Sequence, residues 1–151
     1  MGIISSRFTV AVHILALLAI EGKAEPTTSE YLARSASTNP VVIRRILAML
    51  GKAGFVEAHP GASGGVRLAR LPEQITLLDV YQAVEKGEIF SFGSREYNPF
   101  CICGRSLEPV MRNVFHQAEA ALAQTLAGMT IAQVAQEIRE IDARLPQPAA
   151  D

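Results

Sequence analysis

Two groups of side chains in this 151-residue sequence have the types and spacing to do chemistry. The first is a thiol pair, Cys101 and Cys103, separated by one residue and followed by Arg105. A guanidinium nearby and the start of a helix both lower a thiol's pKa and raise its reactivity. Oxidation, persulfidation and capture of a soft metal are the reactions open to such a pair. A disulfide between residues so close would be strained and easily reduced. The plainer alternative is two buried structural cysteines. The second group is a run of cations and glycines: Arg44, Arg45 and Lys52, then His59, Gly61, Ser63, Gly64, Gly65 and Arg67. Guanidinium groups donate to phosphates and to guanine edges, and glycine backbone approaches a sugar-phosphate wall closely.

Other chemistries lack their residues. Two cysteines do not make a disulfide-rich scaffold, which points to a reducing compartment, the cytoplasm. A zinc site needs two further ligands, and the chain holds three histidines in all. The glycines of 61–65 are not followed by Lys-Ser or Lys-Thr and open no helix, so they form no phosphate loop. No nucleophile–base pair or carboxylate dyad has motif support, and the chain is not read as an enzyme. A content of 49% hydrophobic and 19% charged residues fits a globular chain, at this length one domain with at most a small appendage. The net charge of −1 conceals a division. Residues 1–72 carry eight basic and four acidic side chains, and residues 73–151 carry six basic and eleven acidic ones. The first part is therefore the one suited to meet an anion. The apolar run 8–20 is too short for a bilayer, which takes about 20 residues, and it carries Thr9 and His13 on one side. It reads as a buried first helix and neither a targeting nor a membrane segment.

The elements that must position these groups follow from caps and periodicity. After the first helix ends near Gly22, Thr27 with Glu30 three residues on fits a capping box, opening a second helix that runs to about Ser35. A short turn follows. Asn39 is then a good N-cap and Pro40 suits the first helical position. Ile43, Ile46, Leu47 and Leu50 must face the core, which turns Val41, Arg45, Ala48 and Lys52 outward with Val42 and Arg44 flanking. Val41 and Val42 offer apolar contact to thymine methyls. Residues 55–59 read as a strand paired with 66–68 across the glycine-rich tip 60–65. Helix, turn, helix and hairpin in that order make a winged helix, a mainly α fold with a small β-hairpin. Thr76 with Asp79 caps a fourth helix, and residues 86–105 then break all periodicity. Their aromatics, Phe90, Phe92, Tyr97 and Phe100, are either packing beneath a loop or a pocket for a small apolar effector. A long helix over 106–127 sets Leu107, Val110, Met111, Val114, Ala118 and Leu122 near a heptad seam. Thr130 with Gln133 caps a last helix, and the tail from Pro146 is expected to fray.

Thr28-Ser29-Glu30-Tyr31-Leu32-Ala33, Pro40-Val41-Val42-Ile43-Arg44-Arg45-Ile46-Leu47, Leu50-Gly51-Lys52-Ala53-Gly54-Phe55-Val56, Gly61-Ala62-Ser63-Gly64-Gly65-Val66-Arg67-Leu68-Ala69 and Ile75-Thr76-Leu77-Leu78-Asp79-Val80 carry a further signal. Together they resemble the Rrf2 family of winged helix-turn-helix transcription regulators, over roughly residues 1–127. The resemblance implies a homodimeric bacterial regulator of transcription, read here as a repressor, whose long penultimate helix makes the dimer through Leu107, Val110, Met111, Val114, Ala118 and Leu122. Helix and wing of each subunit would engage opposite halves of a pseudo-palindromic double-stranded DNA operator. The DNA-binding set adds Arg7, Thr28, Ser29 and Asn39 to the residues above. Residues 1–85 would form the DNA-binding domain, 86–105 a sensor or effector loop, 106–145 the dimerisation helices and 146–151 a frayed tail. Members that bind an iron–sulfur cluster carry three spaced cysteines in that loop. This chain has Cys101 and Cys103 there, and His116 lies within the long helix, so the likeness is to the cluster-free branch. No cofactor or metal is expected, and control would come from a thiol oxidant or a small effector at the two thiols. Two other readings remain at this point. One is a winged helix that binds a protein partner, and the other is a metal-responsive repressor.

Overall fold

Ala11, Ile14, Leu15 and Leu18 recur at helical spacing in α1 (Ser6–Glu21), and all four are buried. This makes α1 the element around which the core closes. The structure is a computed structural model and describes residues 6–148. Helix α2 (Ser29–Ser35) adds Leu32 and Ala33 to the core, and α3 (Pro40–Lys52) adds Ile43, Ile46, Leu47 and Leu50. Asn39 caps α3 as expected, its Oδ1 accepting from the Val42 amide at 3.0 Å, with Pro40 in the first turn.

The cap of α2 differs from expectation. Thr28, not Thr27, accepts from the Tyr31 amide at 3.2 Å. A long-range contact decides between the two threonines: Thr27 is buried and exchanges two backbone hydrogen bonds with Val66, at 2.9 and 2.8 Å. Glu30 takes no part in a capping box and turns toward α3 instead.

Strands β1 (Val56–His59) and β2 (Gly65–Leu68) pair antiparallel, with Val56 opposite Leu68 and His59 opposite Gly65. Phe55, expected to begin the first strand, closes α3 instead: its amide donates to the Leu50 carbonyl at 2.9 Å and its ring is buried. A Cβ on Gly65 would lie 2.4 Å from the Thr27 carbonyl oxygen, and one on Gly64 would lie 2.4 Å from that of His59. Both glycines are thus required by close backbone approach within the protein itself. A short 3-10 turn over Pro72–Gln74, which periodicity does not signal, leads into α4 (Leu77–Val84). The expected box forms there, Thr76 and Asp79 each accepting from the other's amide at 2.8 and 3.1 Å.

Helix α5 (Ile102–Ala127) begins four residues before the expected Ser106. The reason is a turn that feeds it: the Cys101 amide donates to the Asn98 carbonyl at 3.2 Å, and Arg105 Nη1 reaches back to the Pro99 carbonyl at 3.3 Å. A Cβ on Gly104 would sit 2.1 Å from the Asn98 oxygen, so only glycine lets the turn fold onto the first helical residues. Cys101 therefore occupies the N-cap position and Cys103 the first turn, and the irregular segment ends at 101 rather than 105. Pro109 lies inside α5 and has no amide to offer the Arg105 carbonyl. Helix α6 (Ile131–Asp142), opened by the expected Thr130–Gln133 box, turns back and packs on α1. Its Ile131 and Ala135 are buried, the Ile131 amide donates to the Ile75 carbonyl at 2.8 Å, and Arg139 donates to the Ile20 carbonyl at 3.0 Å. By its packing α6 belongs with the winged body, although sequence grouping joins it to the long helix. Residues 146–148 have no regular structure; residues 149–151 of the expected tail, and residues 1–5 of the first unit, lie outside the described residues. Among the described residues no helix is long and apolar enough to cross a membrane.

Candidate nucleic-acid interface

The outward face of α3 and the wing bound a groove of about 400 Å³ whose lining includes Ser29, Arg44, Ala48, Lys52, Ala58 and Gly65. Three parts of the fold thus contribute to one surface: the start of α2, the solvent face of α3 and both strands of the wing. Arg45 is exposed beside it and makes no ion pair among the described residues. Val41 is 54% exposed in the first turn of α3, and Val42 is half-buried against the core. Gly61 and Ser63 are exposed at the tip of the wing. Cationic donors, a small-residue floor and apolar contacts on a protruding helix are what duplex DNA takes in its major groove. Thr28 and Asn39 stand at the rim, with a side-chain oxygen of each committed to a helix cap.

Three residues of the expected set lie elsewhere. Arg67 projects from the other side of the hairpin. Its Nη1 donates to the Ala24 carbonyl at 2.9 Å, its Nε donates to His59 Nε2 at 3.0 Å, and Glu57 is 3.5 Å away. Arg67 and Glu57 face one another across the ladder and line a larger groove of about 570 Å³ with Lys23, Glu25 and Leu71. Strand alternation explains the displacement: Val66 faces the core, so its neighbour must face away from it. Arg67 thereby ties the wing to the α1–α2 connection, and His59 is its acceptor. Arg7 pairs with Glu85, at the end of α4, at 3.2 Å. His13 donates to or accepts from Ser35 Oγ at 2.8 Å, bracing α1 against α2.

The thiol pair is at the start of α5. Cys101 and Cys103 are both exposed, which removes the alternative of buried structural cysteines. The Gly104 amide, then the Cys103 amide, and last the Cys103 thiol lower the Cys101 pKa below the ordinary thiol value. The Arg105 guanidinium, bound to the Pro99 carbonyl, is not among the causes. Two aromatic residues of the preceding loop pack on α5: Phe90 lies parallel to Phe115 with centroids 4.6 Å apart, and Phe92 lies tilted 5.2 Å from the same ring. Arg112 covers Phe92 at 5.4 Å. Phe100, in contrast, is 91% exposed. Phe115 was not legible as the anchor, because it falls outside the heptad seam. Along that seam Leu107, Val110, Val114 and Leu122 are exposed by 37 to 61%, Ala118 is exposed, Met111 is half-buried, and no residue of α5 is buried.

A family model described as "Rrf2: Iron-dependent Transcriptional regulator" matches residues 4–137. YwnA of Bacillus subtilis, named as a candidate HTH-type transcriptional regulator, is 36% identical over 131 residues, covering 87% of this chain and 96% of its own. The HTH-type transcriptional regulator NsrR of Shouchella clausii is 29% identical over 122 residues, 80% of each chain. Among solved structures, T. potens IscR superposes with a TM-score of 0.71 at 23% identity, over 98% of this chain and 96% of its own. CymR, the global cysteine regulator of B. subtilis, superposes at 0.67 and 22% identity, over 91% and 98%. These two likenesses show the fold. The family description names iron, and the donors here do not fit an iron–sulfur cluster held within one chain. Such clusters take four ligands, while the loop offers two thiols. Among the described residues no three His, Cys, Asp or Glu side chains come together as a metal site.

Proposed function

The chain belongs to the Rrf2 family of DNA-binding transcription regulators, which are not enzymes, and from this premise we propose that it acts as a homodimeric repressor in the bacterial cytoplasm. Each subunit sets α3 and its wing into one half of a pseudo-palindromic operator. The observation that carries this reading is α5, a 26-residue helix with no buried residue and an apolar seam at heptad spacing. A seam of that kind is covered when two copies cross about a two-fold axis, which also places two reading helices on one face. Control resides at Cys101 and Cys103, where a thiol oxidant or a small effector acts. The aromatic clasp on Phe115 supports this, since it fastens the loop that leads to the thiols onto the helix that spaces the subunits.

Sedimentation velocity at micromolar concentration tests the dimer, with a dimeric mass expected for the wild type and a monomeric mass for Val110→Asp. Fluorescence anisotropy on DNA from the protein's own upstream region, at fixed salt, tests the operator. Arg45→Ala weakens binding by about 1–3 kcal/mol at one base position if it reads a base, or evenly across sequences if it holds phosphate. Unchanged affinity on every duplex would remove the α3 face from the interface. Binding that collapses on mild oxidation identifies the thiols as the switch, whereas indifference to oxidant assigns control to an effector at the loop.

A further inference from the structure

Glu30 is an acid on a surface otherwise suited to an anion. Its charge opposes a phosphate backbone, so a face built only to attract DNA would not carry it there. It does not cap α2, because Thr28 does that alone. Its carboxylate crosses to α3, where Oε1 accepts from Arg44 Nη2 at 2.7 Å. The two side chains are 56% and 58% exposed, and an ion pair so open contributes little to stability. Its value lies in where it leaves the guanidinium. Arg44 and Arg45 are adjacent and chemically identical, yet Arg45 makes no ion pair among the described residues and Arg44 is tethered in the groove between α3 and the wing.

We propose that Glu30 is a positioning residue for sequence specificity, holding Arg44 toward base edges and withholding it from phosphates. An untethered arginine has many rotamers and meets phosphate on any sequence. With one Nη2 proton committed to Glu30, the remaining donors of Arg44 form a fork of fixed direction that suits the O6 and N7 acceptors of guanine. Arg45 supplies sequence-independent attraction and Arg44 the discrimination. The inference rests on α3 being the reading helix.

The test uses the full-length protein and the operator it selects from a random duplex pool. Affinities are measured by anisotropy for that operator, for each single base-pair substitution of it, and for a mixed-sequence duplex, over a range of salt. Glu30→Ala is expected to lower the ratio of operator to mixed-sequence affinity about two- to fivefold, chiefly by tighter mixed-sequence binding. Its salt slope should steepen by about one phosphate contact. Glu30→Gln keeps an oxygen acceptor for Arg44, so it retains the base preference that Glu30→Ala loses. In an Arg44→Ala background, Glu30→Ala leaves base preference unchanged. A Glu30→Ala variant that weakens all duplexes equally at unchanged slope, or that alters base preference without Arg44, overturns the proposal. If Arg44→Ala itself changes affinity for no duplex, the reading-helix assignment fails, and the proposal with it.

Discussion

Helix α3 buries Ile43, Ile46, Leu47 and Leu50, every residue of its apolar face, whereas α5 is twice as long, 26 residues against 13, and buries none. The two helices show a similar signal in sequence, apolar residues returning every three or four positions. They differ in what lies opposite. In front of α3 are α1, α2 and α4, supplied by the same chain, while α5 meets the body at α4 and its apolar seam stays exposed. Periodicity announces that a helix has a face to cover, and it is silent on which molecule covers it. The body is accordingly stabilised within one chain, and in the proposed dimer the seam of α5 would be a surface whose stabilisation depends on concentration.

The largest expected effect sets those two regimes side by side. Leu50→Ala, at a site with no solvent exposure, should lower unfolding free energy by about 2–5 kcal/mol in urea titrations at every protein concentration. Val110→Asp should instead leave the helical far-ultraviolet signal intact and abolish the concentration dependence of the midpoint. A body that unfolds with Val110→Asp would break the distinction. A smaller effect asks to which region α6 belongs. Thr130→Ala removes the cap that opens α6 and should lower body stability by about 1 kcal/mol with the dimer constant unchanged. A shift in the dimer constant alone would return α6 to the arm. The smallest effect leaves folding untouched. Because the Cys101 pKa is lowered, its thiolate persists to lower pH than an ordinary thiol of about 8.5. Iodoacetamide at pH 7 should then label Cys101 faster than it labels a free reference thiol such as glutathione, with the lead shrinking above about pH 9 as the reference thiol ionises. Labelling of Cys101 no faster than the reference thiol at pH 7 would remove the lowered pKa.

What the sequence makes legible is short-range. The caps at Asn39, Thr76 and Thr130 each satisfy amides within three residues, so residue type and spacing suffice to find them. The four inward residues of α3 are equally plain from their spacing. What escapes reading is set by distant partners. Thr27 loses the α2 cap to Thr28 because Val66 claims its backbone from 39 positions away. Arg67 looks like a wing cation until the Ala24 carbonyl and Glu57 are seen to hold it. The start of α5 is hidden because Cys101 is not a typical cap residue and Gly104 disfavours a first turn, while the turn at Asn98 that requires that glycine leaves no periodic trace. The tie from Glu30 to Arg44 joins separate helices, and no spacing rule connects them.

Pro109 gives α5 a property that its unbroken helical course conceals. The hydrogen-bond ladder lacks one rung there, because Pro109 has no amide to donate to the Arg105 carbonyl. The turn carrying Cys101 and Cys103 is thereby joined to the length of helix that bears Val110 and Val114 by one backbone hydrogen bond fewer. Amide exchange along α5 should be stepped rather than graded, fast ahead of Pro109 and slow beyond it. Under the proposed control at the thiols, a chemical event there would meet a helix weakened at one rung. The Phe90 and Phe92 rings clasped on Phe115 would give such an event a second route past Pro109, through side chains beside the backbone.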